Sequence, residues 1–389
     1  MKSYMKTLHL ACVHKSNDTR ILIKECYSLA ENGYDVVFYT SYESKQLPDE
    51  EERLNHGVNL RFHNLDMRGV VLNRAVIKSA IARKKNIKKI LNILEKEKPD
   101  VVHIHEFELV YSIDAIRKKF PDVKVIYDVH EDVCGQYLPY LTKIFGNVFG
   151  HYIAKLIEKE EIKYFKKVDA LITVTPHLYN KIKKYNDVVV EVKNMPADII
   201  NEESDRRENV VCYCGGLTEQ RGITTLYRIA EHINGVLILA GAGKKEYLES
   251  LRSQYDADGK VELWGYVGRD KVNELYAKAV VGVCTLLFSP NIYNSYPIKL
   301  FEYMAAGIPV VCSDFPLWKS IVEENNCGIA VNPNSEQEIV NAINYLLEDR
   351  KMAQKMGENG KNAINNKFNW KIEEKKLLDF YQELQQGET

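Results

Sequence analysis

The chain is 389 residues long, 45% apolar and 28% charged, with a formal net charge of −1. That length provides for two or three domains with separate cores, and the composition is that of a globular protein and excludes a disordered or fibrous one. Residues 1–197 hold 32 Lys and Arg against 26 Asp and Glu and the remainder 21 against 28, so a basic half precedes an acidic one and the two are expected to meet different partners.

The opening MKSYMKTLHLACVHKS has neither the apolar run nor the small-residue cleavage site of a signal peptide. No run of about 18 apolar residues follows that would span a membrane. The eight cysteines form no CxxC pair and no His-spaced cluster. With Cys12, Cys212 and Cys312 in apolar strands, they read as reduced core thiols of a cytoplasmic protein.

Strand and helix alternate from the start. Leu8–Val13 reads as a strand, Asp18–Asn32 as a helix stopped by Gly33, and Val36–Tyr39 and Val58–Phe62 as strands. A helix over Ala75–Lys98 ends at Pro99 and leads to a strand over Val101–His105. Glu108–Lys119 is helical, Val123–Tyr127 a strand and Asp128–Gly135 a polar loop. Helical Leu138–Lys167 precedes a strand over Ala170–Val174, a helix over Pro176–Lys184 and a strand over Val188–Val192. Asn194-Met195-Pro196 breaks the alternation, and charged Asp198–Asn209 marks a domain junction. The second half restarts with strands at Val210–Cys214, Val236–Ala240, Val261–Trp264, Val281–Cys284 and Ile308–Cys312, then three helical segments from Ser335. Two successive βαβ series imply an α/β chain of two Rossmann-like, doubly wound domains, 1–197 and 198–367, facing one another across a cleft. Ligands of such folds bind outside the carboxyl ends of the strands, hence in that cleft.

The loops at those strand ends carry the chemistry. In Pro297-Ile298-Lys299-Leu300-Phe301-Glu302, Lys299 and Glu302 are three apart and share a helix face. Lys neutralises phosphate and Glu accepts hydrogen bonds from sugar hydroxyls; the plainer reading is a surface ion pair. Cys214-Gly215-Gly216-Leu217 followed by Arg221-Gly222 is a strand, a glycine pair and a helix start. Such glycines let backbone N–H groups approach an anion, and Arg221 adds positive potential; alternatively the turn needs Gly for backbone reasons. Gly241-Ala242-Gly243 repeats the pattern, and Trp264-Gly265-Tyr266-Val267 offers a rim for a flat base, with the Trp264 ring itself read as core.

In the first half, His103-Ile104-His105-Glu106 puts both histidines on one strand face with His105 near the cleft. The spacing matches no standard zinc helix motif, and an inward histidine is a common core residue, so no metal ligand is assigned. His130 and Glu131 lie in a loop beyond a buried strand and are taken as substrate contacts. Asp256-Ala257-Asp258-Gly259 looks like a metal-binding DxD but falls at the amino end of the sheet and reads as a turn. Helix 74–98, with nine Lys and Arg against two Glu, suits either anionic lipid headgroups at the inner face of a membrane or plain solvent. Without aromatic interleaving or a recognisable module, no nucleic acid partner is expected.

Together these motifs resemble the GT-B fold glycosyltransferases, specifically glycosyltransferase family 4, over nearly the whole chain, and Pro297–Val311 is the most specific block. The resemblance implies retaining, metal-independent transfer of a sugar from a nucleotide diphosphate sugar, a UDP-sugar being favoured, with no cofactor. The acceptor would be a carbohydrate or lipid-linked hydroxyl in cell-surface polysaccharide or glycolipid synthesis. By that likeness Arg221 and Lys299 take the donor diphosphate and Glu302 the ribose hydroxyls. Gly215, Gly216, Gly241, Tyr266, Asn294 and Leu300 line the donor site. His130 stands near the reacting centre, and Asp18, Thr19, His105 and Glu131 lie on the acceptor side. The segment 368–389 around Trp370 resembles the helix that returns to the first domain. Two positions depart from the family: Asn294 stands where a Glu is common, and Gly216 where an Arg is common. They leave open a catalytically silent nucleotide-sugar-binding partner of another transferase; a second alternative is another GT-B enzyme, a nucleotide-sugar 2-epimerase, which would need inward carboxylates for proton transfer at C2.

Overall fold

A computed structural model describes residues 5–40, 56–62, 65, 76–197, 208–255 and 259–387. The chain divides into two units, Met1–Asn194 with Glu373–Thr389, and Met195–Ile372. Each is a parallel sheet flanked by helices.

In the first unit the strands are β1 (Lys6–Leu10), β2 (Asp35–Thr40), β3 (Val58–Phe62), β4 (Val101–Ile104), β5 (Lys124–Val129), β6 (Ala170–Thr173) and β7 (Val189–Glu191). Their order is β3-β2-β1-β4-β5-β6-β7, and every pair is parallel. Positions of β4 and β6 are buried throughout, as expected of strands covered on both faces. The chain reverses its winding between β1 and β4, the switch point at which such sheets open a crevice.

The first strand is Lys6–Leu10 where Leu8–Val13 was expected, and the helix expected over Glu108–Lys119 is 3-10 at Phe107–Ser112 and α-helical only at Ile113–Lys119. Three further elements differ more. The segment read as a helix over Asp18–Asn32 is π-helical at Thr19–Cys26 and α-helical only at Tyr27–Glu31. The wider turn brings Arg20, Lys24 and Glu25 all to the buried side, where they find polar partners. Asp128 and Val129 belong to β5 and a helix starts at Val133, so the expected polar loop Asp128–Gly135 shrinks to His130–Asp132. The helix expected over Leu138–Lys167 runs Val133–Phe165 but is broken at Gly146, whose φ of 76° and ψ of 168° are not helical. The two halves fold back so closely that a Cβ on Gly150 would lie 2.6 Å from the Thr142 backbone.

The basic helix is described from Val76 to Glu97; Arg74 and Ala75 lie outside the described residues, as do the side chains through residue 80. Ala82, Asn86, Ile90 and Leu94 face inward at four-residue spacing, and Arg83, Lys84, Lys85 and Lys88 are exposed.

The second unit holds β8 (Val210–Cys214), β9 (Val236–Ala240), β10 (Val261–Gly265), β11 (Val281–Cys284), β12 (Val310–Ser313) and β13 (Gly328–Val331). They form a parallel sheet in the order β10-β9-β8-β11-β12-β13, with its switch point between β8 and β11. Strand β12 starts two residues later than expected, after Pro309, which has no N–H to give a ladder. Edge strand β13 was not anticipated. Nor was the short helix Pro290–Tyr293, although Ser289 accepts from the Ile292 N–H at 3.3 Å and Pro290 opens its first turn. Trp264 is partly buried against the core.

Residues 198–207 of the expected junction and 256–258 of the Asp256-Ala257-Asp258 turn lie outside the described residues. All eight cysteines are free, and all but Cys134 are buried. Among the described residues no helix is long and apolar enough to cross a membrane.

Candidate active site

In the second unit the chemistry gathers where β8 and β11 end. Arg221 is exposed at the end of a 3-10 turn, Glu219–Arg221, and the following Gly222 takes a left-handed φ of 78°. A Cβ there would fall 2.3 Å from the Thr285 carbonyl oxygen, so only glycine lets this loop lie against the exit of β11. Lys299 lies on the helix Ile298–Ala305. Burial pushes the Cys284 thiol up to about 12, and both Arg221 and Lys299 pull against that rise. Both cations are therefore within electrostatic reach of Cys284, the last residue of β11.

Glu302, on the face it shares with Lys299, is the most heavily engaged carboxylate described in this unit. Lys299 Nζ donates to Oε2 at 2.7 Å, Tyr276 Oη to the same oxygen at 2.8 Å, and Arg269 Nη1 to Oε1 at 3.2 Å. Burial raises its pKa, but the Lys299 charge and hydrogen bond, with Arg269 and Tyr276, bring it below the usual carboxylate range. Lys299 and Glu302 thus form an ion pair that Arg269 and Tyr276 extend into a network. Leu300 is fully buried and its N–H is bonded to the Pro297 carbonyl, so this expected donor contact is a core residue instead.

The glycines separate into kinds. Gly241 has φ 153°, and a Cβ on it would fall 1.7 Å from the Gly215 carbonyl oxygen; its N–H is bonded to Gly265. The Gly215 N–H likewise goes to the Ala240 carbonyl. Here backbone crowding and the sheet ladder demand glycine, and neither N–H is left for an anion. Gly216 differs: a Cβ there meets nothing within 4 Å. An open cavity of about 380 Å³ lies among Gly241, Gly243, Leu248, Leu263, Gly265 and Tyr266, with Tyr266 71% exposed. Asn294 caps the helix Pro290–Tyr293 and is half-buried.

In the first unit the centre is Asp128 at the end of β5. Arg20 Nη2 donates to its Oδ2 at 3.0 Å and His130 Nε2 lies 2.7 Å from the same oxygen. Burial would raise this carboxyl, but Arg20 and His130 hold it well below its ordinary range. Next to it Glu106 accepts the N–H groups of Cys12, Val13 and His14 at 2.9–3.1 Å and meets His14 Nδ1 at 2.8 Å. Against burial, the His14 hydrogen bond and charge bring Glu106 down to about 2. Against burial likewise, Glu106 lifts His14 to about 9. The His14 and His130 rings lie 5.1 Å apart.

His105, expected on the acceptor side, is 1% exposed and lies edge-on to the His130 ring at 5.6 Å. It cannot touch an acceptor; it supports His130 from within. Asp18 Oδ1 caps the π-helix through the Arg20 and Ile21 N–H groups, beside exposed Thr19. Glu131 is exposed.

Two donor sets could ligate a cation: His9, Glu25, His103 and His105, and His105, Asp128 and His130, each with its donor atoms within 4.8 Å. Burial keeps His9, His103 and His105 below the usual histidine range. Arg20 pairs with one carboxylate of each set, with Nε 3.0 Å from Glu25 and Nη2 3.0 Å from Asp128, and its fixed charge repels another cation. Sequence reasoning missed His14, Arg20, Glu106, Asp128, Arg269 and Tyr276 as site residues. Of these, Glu106 closes the His103–Glu106 strand end and Asp128 opens the loop that carries His130, so both lay inside motifs already singled out.

Two parallel, doubly wound units with such strand-end sites define the GT-B class of glycosyltransferase. The model "Glycosyltransferase Family 4" matches residues 21–192, and "Glycosyl transferases group 1" matches residues 195–363. The chain belongs to the GT-B glycosyltransferases of family 4 type. It is 28% identical over 382 residues to an uncharacterized glycosyltransferase of Methanocaldococcus jannaschii, 92% of either chain. It is 29% identical over 184 residues to the GDP-mannose-dependent alpha-(1-6)-phosphatidylinositol monomannoside mannosyltransferase of Mycobacterium tuberculosis, 45% of this chain and 47% of that one. Among solved structures, sucrose-phosphate synthase from Thermosynechococcus elongatus superposes with a TM-score of 0.74 at 18% identity, over 98% of this chain and all of that one.

Proposed function

We propose that this glycosyltransferase is a retaining enzyme that moves a sugar from a nucleotide diphosphate sugar to a carbohydrate or lipid-linked hydroxyl. It works in the cytoplasm, without a metal ion or cofactor, in the assembly of cell-surface polysaccharide or glycolipid. The observation that carries the reading is that the Arg221-Gly222 loop lies against the exit of β11, where Arg221 and Lys299 both act on Cys284 and Lys299 is bonded to Glu302.

Breaking the donor's glycosidic bond leaves negative charge on the β-phosphate and an oxocarbenium-like sugar. Arg221 and Lys299 stabilise that departing charge more than the already neutralised ground state. Glu302 Oε1 meets the half-exposed Arg269, which ribose hydroxyls replace when the donor binds. His130, held through Nε2 by Asp128, offers Nδ1 to the sugar or the incoming hydroxyl. The acceptor hydroxyl attacks on the face the diphosphate leaves, as the bond from the sugar to the β-phosphate oxygen breaks and the hydroxyl proton passes to that departing oxygen, with no protein nucleophile.

Thermal stabilisation by UDP-, GDP- and ADP-sugars tests the donor, with a UDP-sugar first and the mannosyltransferase relative's GDP-mannose beside it. NMR of the product then reads the anomeric configuration, in buffer with EDTA. Inversion, or loss of activity in EDTA, overturns the mechanism. Tight donor binding without turnover identifies a silent binding partner, and a product epimeric at C2 an epimerase.

A further inference from the structure

The broken helix Val133–Phe165 is apolar on two sides, and the core uses only one. Val133, Leu141, Ala154 and Ile157 pack inward. On the other side, Tyr140, Phe145, Val148, Phe149, Tyr152 and Leu156 are exposed, Val148 at 81% and Phe149 at 69%. Val148, Phe149, Tyr152 and Leu156 follow helical spacing, so they form one outward stripe that begins at the fold of the hairpin beside Gly146. Single exposed apolar residues need no explanation, but a group of them around an exposed turn marks a docking surface.

The charges choose the partner. From Gln136 to Ile157 the chain carries Lys143, His151 and Lys155 and no Asp or Glu. We propose that this hairpin tip docks the protein on an anionic bilayer, with the aromatic and aliphatic stripe in the headgroup layer and the two lysines on the lipid phosphates. Phe and Tyr at the turn suit the interface between water and acyl chains, and lysines can spread their stems along it. The break at Gly146 makes the segment lie on the surface rather than cross it. A second copy of the chain fits less well: a two-fold contact through this patch brings the cations of both copies into one interface to which residues 136–157 contribute no carboxylate. The proposal is independent of the sugar chemistry, because its test reads binding and not transfer.

The experiment is co-sedimentation of the full chain with vesicles of phosphatidylcholine, with and without phosphatidylglycerol. The wild type is expected to pellet with anionic vesicles and far less with neutral ones. Val148→Asp with Phe149→Asp should weaken partitioning at least about tenfold, since two apolar side chains no longer enter the bilayer. Its melting temperature should not move, because both sites are exposed. Lys143→Glu and Lys155→Glu should each cost about fivefold on anionic vesicles. In Phe149→Trp, tryptophan emission should shift to the blue when vesicles are added. A wild type that ignores anionic vesicles, or an aspartate pair that binds as the wild type does, overturns the proposal. So does binding abolished in Lys84→Glu, Lys85→Glu and Lys88→Glu but kept in the aspartate pair, which would place the contact on the basic helix. A wild-type dimer in light scattering that the aspartate pair dissolves, without vesicle binding, would give the patch to a second copy.

Discussion

Replacing Glu302 by Ala separates a ligand-binding carboxylate from a structural one. The side chain now serves Lys299 at 2.7 Å, Tyr276 at 2.8 Å and Arg269 at 3.2 Å. If Oε1 exchanges Arg269 for ribose hydroxyls, the variant loses at least one charge-assisted hydrogen bond, about 1.5–3 kcal/mol. Against this, Lys299 and Arg269 lose their counter-charge and attract the diphosphate more strongly. At about 4 Å in a solvated site that gain is about 1 kcal/mol. The loss outweighs the gain by about 0.5–2 kcal/mol, so the dissociation constant for the nucleotide should rise about 2–30-fold. Calorimetric titration with the free nucleotide diphosphate reads it directly. Glu302→Gln, which keeps the shape but not the charge, should weaken binding in the same direction by less. Unchanged or tighter binding in Glu302→Ala, with the melting temperature held, would mean that the carboxylate only restrains Lys299 and that the ribose lies elsewhere.

Arg221→Ala should leave the fold intact, since the side chain is exposed, and lower kcat about 10²–10³-fold in steady-state assays. Gly241→Ala should lower stability by at least about 1–3 kcal/mol, because its Cβ would overlap the Gly215 carbonyl oxygen. Gly216→Arg enters open space; it should melt as the wild type does and bind the donor more tightly. The Glu106–His14 pair gives stability a defined pH window. His14 is raised from 6.5 to about 9, so its contribution is whole below 6.5 and is lost as the pH rises through about 9. Glu106 is lowered from 4.5 to about 2, so its contribution is whole above 4.5 and is lost as the pH falls through about 2. Thermal melts across pH should show both limbs, and His14→Ala should flatten the alkaline one.

The central strands were legible because they are covered on both faces and read as nearly unbroken apolar runs: Val210–Cys214, Val236–Ala240 and Val281–Cys284 have the bounds their residues suggest. The edge strand Val58–Phe62 kept its bounds through alternation instead, with Arg61 and Phe62 exposed. The π-turn at Thr19–Cys26 was not legible. Asp18 announces an ordinary helix cap, and the reason to widen the turn is Asp128, far along the chain, waiting for Arg20. The helical hairpin escaped for a related reason: a segment apolar on both sides has no periodicity to betray a fold at Gly146. Spacing found Lys299 and Glu302 but could not supply Arg269 or Tyr276, which reach the carboxylate from another helix. Nor could it sort the glycines. Gly241 and Gly216 look alike in a turn, yet one is wedged against a carbonyl and the other faces open space.

The closing segment has a consequence for how the molecule is made. Tyr381 is fully buried, and its hydroxyl meets His103 at 2.9 Å and Thr7 at 3.4 Å, on two central strands of the first unit. Leu377 and Phe380 are buried with it, and Glu373 accepts the Lys193 N–H. During translation, residues 1–194 emerge without these plugs and wait, their histidine layer uncapped, while the continuous stretch 195–372 assembles with every piece at hand. The half of the protein that leaves the ribosome first is therefore the half that matures last.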